Sequence, residues 1–223
     1  MPEPHARAYA ALRERTIVLV RDADPTLFDK QAPATPIWRT HDVLAHMVGV
    51  TDDVVNGRLE GVASDAWTQN QVDARIDAPV DEMIAEWSAT AEAFDALMSA
   101  VPEEIAGQAL FDAFTHEHDL RNALDAPCVP DSDAVVLAWE WIVAARTRAG
   151  LPAIRFVTEA GEVVAGTGEP KVRVETSRFE LLRAVSGRRS PSEVAAYGWD
   201  PEPDAALLLA APFFTVREEP LNE

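Results

Sequence analysis

One cysteine in 223 residues, Cys128, excludes an internal disulfide and a metal cage closed by thiolates. That agrees with a reducing compartment, and a cytoplasmic protein is expected. Positive charge is scarce: 19 Lys and Arg stand against 38 Asp and Glu, a formal net charge of -19. Such a balance repels phosphate backbones and anionic lipid headgroups, so neither nucleic acid nor a membrane is an expected partner. No apolar run approaches the roughly 18 residues of a membrane span. The first residues, MPEPHARAYAALRERT, lack the charged-then-apolar pattern of a secretory signal. Internal repeats and low-complexity tracts are missing as well. What remains is an ordinary globular composition, 48% hydrophobic and 26% charged, in a chain long enough for one large or two modest cores.

Residues 5–22 carry Tyr9, Leu12, Ile17, Leu19 and Val20 near helical period, which predicts a first helix. Pro25, Pro33 and Pro36 cannot continue it, since proline removes a donor and clashes with the preceding turn, and a connecting loop is expected. From Thr40, read as an N-cap, a second helix should run to about residue 59. Val43, Met47, Val50 and Val54 stack on one face of it, and His46 falls at the edge of that stripe. A polar stretch over 65–78 follows, with Trp67, Asn70 and Arg75. Met83, Ile84, Trp87, Phe94, Leu97 and Met98 mark a third helix over 81–101. A fourth is expected over 108–124 and a fifth over 131–149. Gly150 and Pro152 end the fifth, after Arg146 and Arg148 in its last turn, where cations suit the helix dipole.

Beyond residue 150 the period changes. IRFVT and KVRVET alternate at spacing two and are separated by EAGEVVAGTGEP, rich in turn residues, so strands are expected. Ser177 with Glu180, and Ser190-Pro191 with Glu193, are capping-box signatures of two short helices. FFTVR reads as a last strand. The fold class expected is therefore α+β in two domains: a helical bundle over 1–150 and a small α+β domain over 151–223, joined by a short junction at residues 150–153.

The residues that carry chemistry lie in FDAFTHEHDLRNAL and WRTHDVLAHMVG. Asp112 and His116 are four apart, so on a helix they project from one face, and a carboxylate and an imidazole there can converge on one cation. His46 from a neighbouring helix would make three protein ligands with an open position, the usual arrangement of a catalytic zinc site. Each residue also has a plainer role open to it. His46 can be a core-edge histidine bonded to a backbone carbonyl, and Asp112 an acidic residue in the first turn of its helix, stabilising the dipole. His118 falls on a different helix face from His116 and reads as a solvated residue. Asp119, one turn beyond His116, can support it, serve as a fourth ligand, or pair with Arg75 or Arg121. Cys128, in APCVP, reads as a loop residue. The six tryptophans read as packing residues.

WRTHDVLAHMVG, WTQNQVDAR, DAFTHEHDLRNAL and SRFELLRAVSGRRS followed by YGW, in this order along nearly the whole chain, together resemble the mycothiol-dependent maleylpyruvate isomerase family of actinobacterial proteins. The resemblance implies a DinB-like up-down four-helix bundle, with an additional helix, followed by a small C-terminal domain. It implies a divalent metal, usually zinc, held by His46, Asp112 and His116, and mycothiol as a low-molecular-weight thiol cosubstrate acting on a small electrophile. Aspartate stands where these isomerases usually have glutamate, and its shorter arm either draws the helix closer or weakens the site. Asn70 and Arg75, within the shared WTQNQVDAR motif, are expected at the thiol cosubstrate. Arg75, Arg188 and Arg189 are the expected catalytic residues, because a guanidinium fork suits substrate carboxylates. The activity implied is cis-trans isomerisation or S-transfer by a monomer or homodimer. The alternatives are a non-catalytic metal or small-ligand binding protein and a bundle without metal. Histidine with carboxylate suits zinc, and iron, nickel and manganese also accept such ligands.

Overall fold

A computed structural model describes residues 3–202, 208 and 215–223. It is α+β, with eight α-helices and four strands among the described residues. The chain divides into two compact units, Met1–Val129 and Pro130–Glu223. The junction expected at 150–153 therefore lies inside the second unit, together with the fifth predicted helix.

In the first unit α1 (Pro4–Asp22) starts on a proline, whose missing N–H costs nothing at a helix start. α2 (Thr40–Val55) begins one residue earlier than its sequence suggests. Arg39 is the N-cap, its N–H donating to Asp42 Oδ2 at 2.9 Å, while Thr40 Oγ1 donates back to Lys30 O at 3.2 Å. α2 ends at Asn56, before Gly57 at φ +69, rather than near residue 59. The polar stretch after it holds a helix that composition did not suggest, α3 (Asp65–Asp73), capped by Ser64. α4 (Val80–Ala100) and α5 (Glu103–Ala123) complete the unit, α5 starting at Glu103, five residues before its expected beginning.

The long helices α1, α2, α4 and α5 pack in a ring: α1 lies against α4 and α5, and α2 lies against the same two. α3 packs on α2. Leu12, Leu44, Met47, Met83, Trp87, Phe94, Leu110 and Phe114 meet in the interior with almost no exposure. Each such side chain contributes about 1.5–3 kcal/mol of burial. Charged residues also enter this core, in pairs. Arg13 on α1 holds Asp95 on α4 through two bonds of 2.8 and 2.9 Å. Glu117 on α5, fully buried, accepts from Arg15 at 2.6 and 2.7 Å and from Arg121 at 3.0 Å.

The second unit contains α6 (Asp133–Arg148), β1 (Ile154–Thr158), β2 (Gly161–Ala165), β3 (Arg173–Glu175), α7 (Arg178–Val185), α8 (Pro191–Ala195) and β4 (Gly198–Asp200). Sheet order is β2-β1-β3-β4, with β1 antiparallel to β2, parallel to β3, and β3 antiparallel to β4. β1 occupies the expected IRFVT, whereas β2 lies within the segment read only as turns. α6 packs on α7 and β2, and Trp139 meets Phe156 edge to face at 5.1 Å. Gly166, at φ +113, admits no side chain: a Cβ there would stand 2.7 Å from two backbone carbonyl oxygens. Ser177 and Ser190 cap α7 and α8 as their sequences suggest, Ser190 in a full capping box with Glu193. FFTVR falls partly outside the described residues, and its described part, 215–217, carries no strand.

Two outcomes follow for stability. Glu117→Ala leaves two guanidiniums facing each other in the core and should cost about 3–5 kcal/mol, measured by urea unfolding. Burial raises the Glu180 carboxyl, but the Arg189 guanidinium outweighs it and holds the group below its ordinary value of 4.5. A depressed carboxylate stabilises above its unfolded pKa and loses that contribution as pH falls through its folded pKa. Glu180→Gln should therefore cost roughly 1.5 kcal/mol at pH 7, and much less once acid has protonated Glu180 in the parent.

Candidate metal centre

His46 sits in the middle of α2, and Asp112 and His116 lie one turn apart on α5, which packs directly against α2. The three side chains converge. His46 Nε2 is 3.5 Å from Asp112 Oδ2, and His116 Nε2 is 3.7 Å from Asp112 Oδ1. The two imidazoles meet edge to face with centroids 4.8 Å apart. Because α5 begins at Glu103, Asp112 stands in its third turn, far from the N-terminal dipole that its plainer role required. The short aspartate arm does not keep it from either histidine.

Each imidazole is anchored by its other nitrogen. His116 Nδ1 lies 3.0 Å from Asp119 Oδ2, and Asp119 is completely buried. His46 Nδ1 lies 2.8 Å from Gln71 Oε1. The amide of Gln71 is oriented in turn, because its Nε2 donates to the carboxylate Asp53 Oδ2 at 2.8 Å. Both acceptors place the ring proton on Nδ1, which turns the Nε2 lone pair of each ring toward Asp112, the tautomer a metal ligand needs. Burial lowers the pKa of His116, and the hydrogen bond to Asp119 offsets this only in part. Trp38 lies against both rings, at 5.3 Å from His46 and 6.0 Å from His116.

The donor set fits a divalent cation. Ligand atoms at about 2.0–2.2 Å from a tetrahedral zinc are separated by roughly 3.3–3.6 Å, and both histidine-to-carboxylate separations fall at or near that range. All three ligand atoms lie within 4.8 Å of one another. The histidine side chains are 4% exposed and that of Asp112 is 33% exposed, so the open side of the cluster is the carboxylate side. Three protein ligands with an open side permit an exogenous ligand.

The other predicted residues are placed differently. Asn70 is exposed on α3. Arg75, just beyond α3, is buried, donating to Glu86 Oε2 at 3.0 Å, to Asp52 Oδ2 at 3.2 Å and to the backbone carbonyl of Gln71 at 3.1 Å. It thus touches the residue that anchors His46. Arg188 and Arg189 belong to the second unit; Arg189 binds Glu180 at 2.7 and 2.8 Å and Glu223 at 2.7 Å, and Arg188 donates to Ser186 O at 2.6 Å. His118, expected in solvent, is buried: its Nδ1 lies 2.9 Å from Phe114 O and its Nε2 accepts the Val129 N–H at 3.3 Å. Cys128 is half-buried in the loop after α5. Gln71 was not singled out from sequence; it stands in WTQNQVDAR, and the signal missed was the helical face that α3 turns toward α2.

No family model matches the chain, and no curated protein matches it by sequence. Solved structures do match. The crystal structure of the mycothiol-dependent maleylpyruvate isomerase superposes with a TM-score of 0.61 at 16% identity, covering 90% of this chain and 93% of that one. A histidine-to-alanine mutant of that isomerase gives 0.60 at 15% identity, with the same coverage. This chain shares the isomerase's fold. The shared region takes in nearly the whole of both chains, and so both units.

Protein purified without a histidine tag or chelators should carry near-stoichiometric divalent metal, or take up zinc to that level. The His46→Ala, His116→Ala double variant should carry almost none, as read by elemental analysis.

Proposed function

We propose that this protein is a divalent-metal-dependent enzyme that uses mycothiol as its thiol cosubstrate and acts on a small electrophile, as a cis-trans isomerase or an S-transferase. The observation that supports it above all is the convergence of His46, Asp112 and His116, both rings anchored through Nδ1, within a fold shared with an isomerase named for its dependence on mycothiol. In this reading Met1–Val129 is a DinB-like metal-binding bundle and the second unit is the small C-terminal domain of the isomerase type. Zinc suits the two imidazoles and one carboxylate, and a cytoplasmic protein suits the thiol.

A divalent metal held by these three ligands supplies one thing when bound, the deprotonation of a coordinated thiol near neutral pH. The chain's own residues supply the rest. Asp119 and Gln71 keep both rings in the metal-binding tautomer, Trp38 shields them from water, and Asp112 offers the open face through which thiol and substrate enter. An activated cis double bond that takes up a thiolate becomes a single bond, rotates, and returns as the trans isomer when it expels the same thiolate. An electrophile that loses a different leaving group keeps the sulfur instead, and the product is a conjugate. Arg75, and Arg188 and Arg189 of the second unit, are the groups suited to a substrate carboxylate.

Binding without turnover is a second reading, favoured by the engagement of Arg75 with Glu86 and Asp52, and of Arg189 with Glu180 and Glu223, which leaves those guanidiniums already supplied with carboxylates. Zinc-loaded protein should consume mycothiol or isomerise a maleyl compound when offered a panel of maleyl acids, epoxides and aryl halides. Loss of His46 and His116 should remove that rate at least 100-fold. Mycothiol bound with no electrophile turned over would favour the second reading, and absence of both binding and turnover would end the thiol proposal.

A further inference from the structure

The two histidines of the cluster are held by groups of different charge. His116 has a buried carboxylate behind it, Asp119, whereas His46 has a neutral amide, Gln71, reached from a separate helix. Behind Gln71 stands a second carboxylate, Asp53, itself fixed by Arg58 Nε at 2.7 Å. The chain Arg58, Asp53, Gln71, His46 is therefore a directional series of hydrogen bonds, in which each donor and acceptor is determined by the charged group at its far end.

The backbone is shaped to admit it. His46, Gly49 and Asp53 lie at i, i+3 and i+7 on one face of α2, and α3 crosses that face. A Cβ at Gly49 would stand 2.4 Å from Gln71 Cβ, 2.7 Å from its Cγ and 2.9 Å from a terminal nitrogen of Arg75, so only glycine lets α3 come this close. Trp67 Nε1, also on α3, donates to Arg58 O at 2.9 Å and pins the helix beside the end of α2. Gln71 is 2% exposed, a large polar side chain taken from water to meet one imidazole and one carboxylate.

We propose that Gln71 is a positioning residue for the metal, locking His46 in its Nδ1–H tautomer and ring orientation, and that Asp53 sets the direction of its amide. This rests on the metal-binding reading of the cluster. Two consequences separate it from a purely structural role of Gln71 in seating α3. Gln71→Leu keeps the packing against Gly49 but removes the acceptor, and should weaken zinc 10–100-fold, the usual cost of losing such a partner, in a protein that still folds with the lowered melting temperature that an unpaired buried imidazole brings. The double variant Asp53→Asn, Gln71→Glu reverses the donor and acceptor of the middle bond without altering net charge. It gives His46 a carboxylate like that behind His116, and zinc affinity should return to the parent level or above it.

The experiment is competition for zinc against a chromophoric chelator, run on the full chain for the parent, Gln71→Leu, Gln71→Glu alone and the double variant, together with the visible spectra of the cobalt-loaded proteins. Gln71→Glu alone sets two carboxylates against each other and should bind more weakly than the double variant. The cobalt bands of Gln71→Leu should shift, because the ring is free to turn, and those of the double variant should again be sharp. Parent-like zinc affinity and cobalt spectrum in Gln71→Leu would overturn the positioning role and leave the metal site standing. A folded double variant that binds no better than Gln71→Glu alone would overturn it as well. A parent that binds neither zinc nor cobalt would instead remove the metal reading itself, and this inference with it.

Discussion

A buried imidazole must satisfy two nitrogens at once, and in the first unit two such rings stand side by side beneath a tryptophan. Each solves half of the problem with a group on its far side, Asp119 for His116 and Gln71 for His46, and leaves the other nitrogen toward Asp112. A protein interior without such acceptors would make these rings expensive to bury, since an unsatisfied buried polar group costs about 1–3 kcal/mol. Much of the unit's architecture serves that requirement. α3 is drawn onto α2 through Gly49, and α2 is packed on α5 so that His46 and His116, far apart in the chain, share one carboxylate.

Negative charge is managed by the same logic. With twice as many acidic as basic residues, the chain sets several of its few arginines against carboxylates in or beside the interior: Arg13 on Asp95, Arg15 and Arg121 on Glu117, Arg75 on Glu86 and Asp52, Arg189 on Glu180. Buried ion pairs of this kind add little net stability against an apolar core, but breaking one is costly, so they act chiefly to fix which helix faces meet. The cluster at His46, Asp112 and His116 sets one carboxylate between two imidazoles. Its carboxylates, Asp112 as a potential ligand and Asp119 behind a ring, suit a divalent cation rather than an anionic guest.

Legibility from sequence varied with how local the governing physics was. α1, α4, β1 and the caps of α7 and α8 lie close to where periodicity, proline and the Ser–Glu spacing put them, because those signals act within a few residues. α3 was invisible, since its nine residues are mostly polar and only Trp67, Gln71 and Val72 are buried, by contact with other elements. β2 was read as turns because Gly161 and Gly166 bracket it, yet pairing with β1 makes a strand of five residues that alternate little. His118 misled for a related reason: its distance from the face of His116 suggested solvent, but α5 is buried around nearly its whole circumference from Phe114 to Arg121.

Sequence alone determined that Asp112 and His116 share a helix face and that His46 borders an apolar stripe, because helical geometry fixes directions within one element. Tertiary structure decided that α2 and α5 lie close enough for the three to meet, that Asp119 backs His116, and that Gln71 backs His46. Those choices depend on the distance and rotation between elements far apart in the chain, which are set by the packing of whole faces and cannot be read from any single segment.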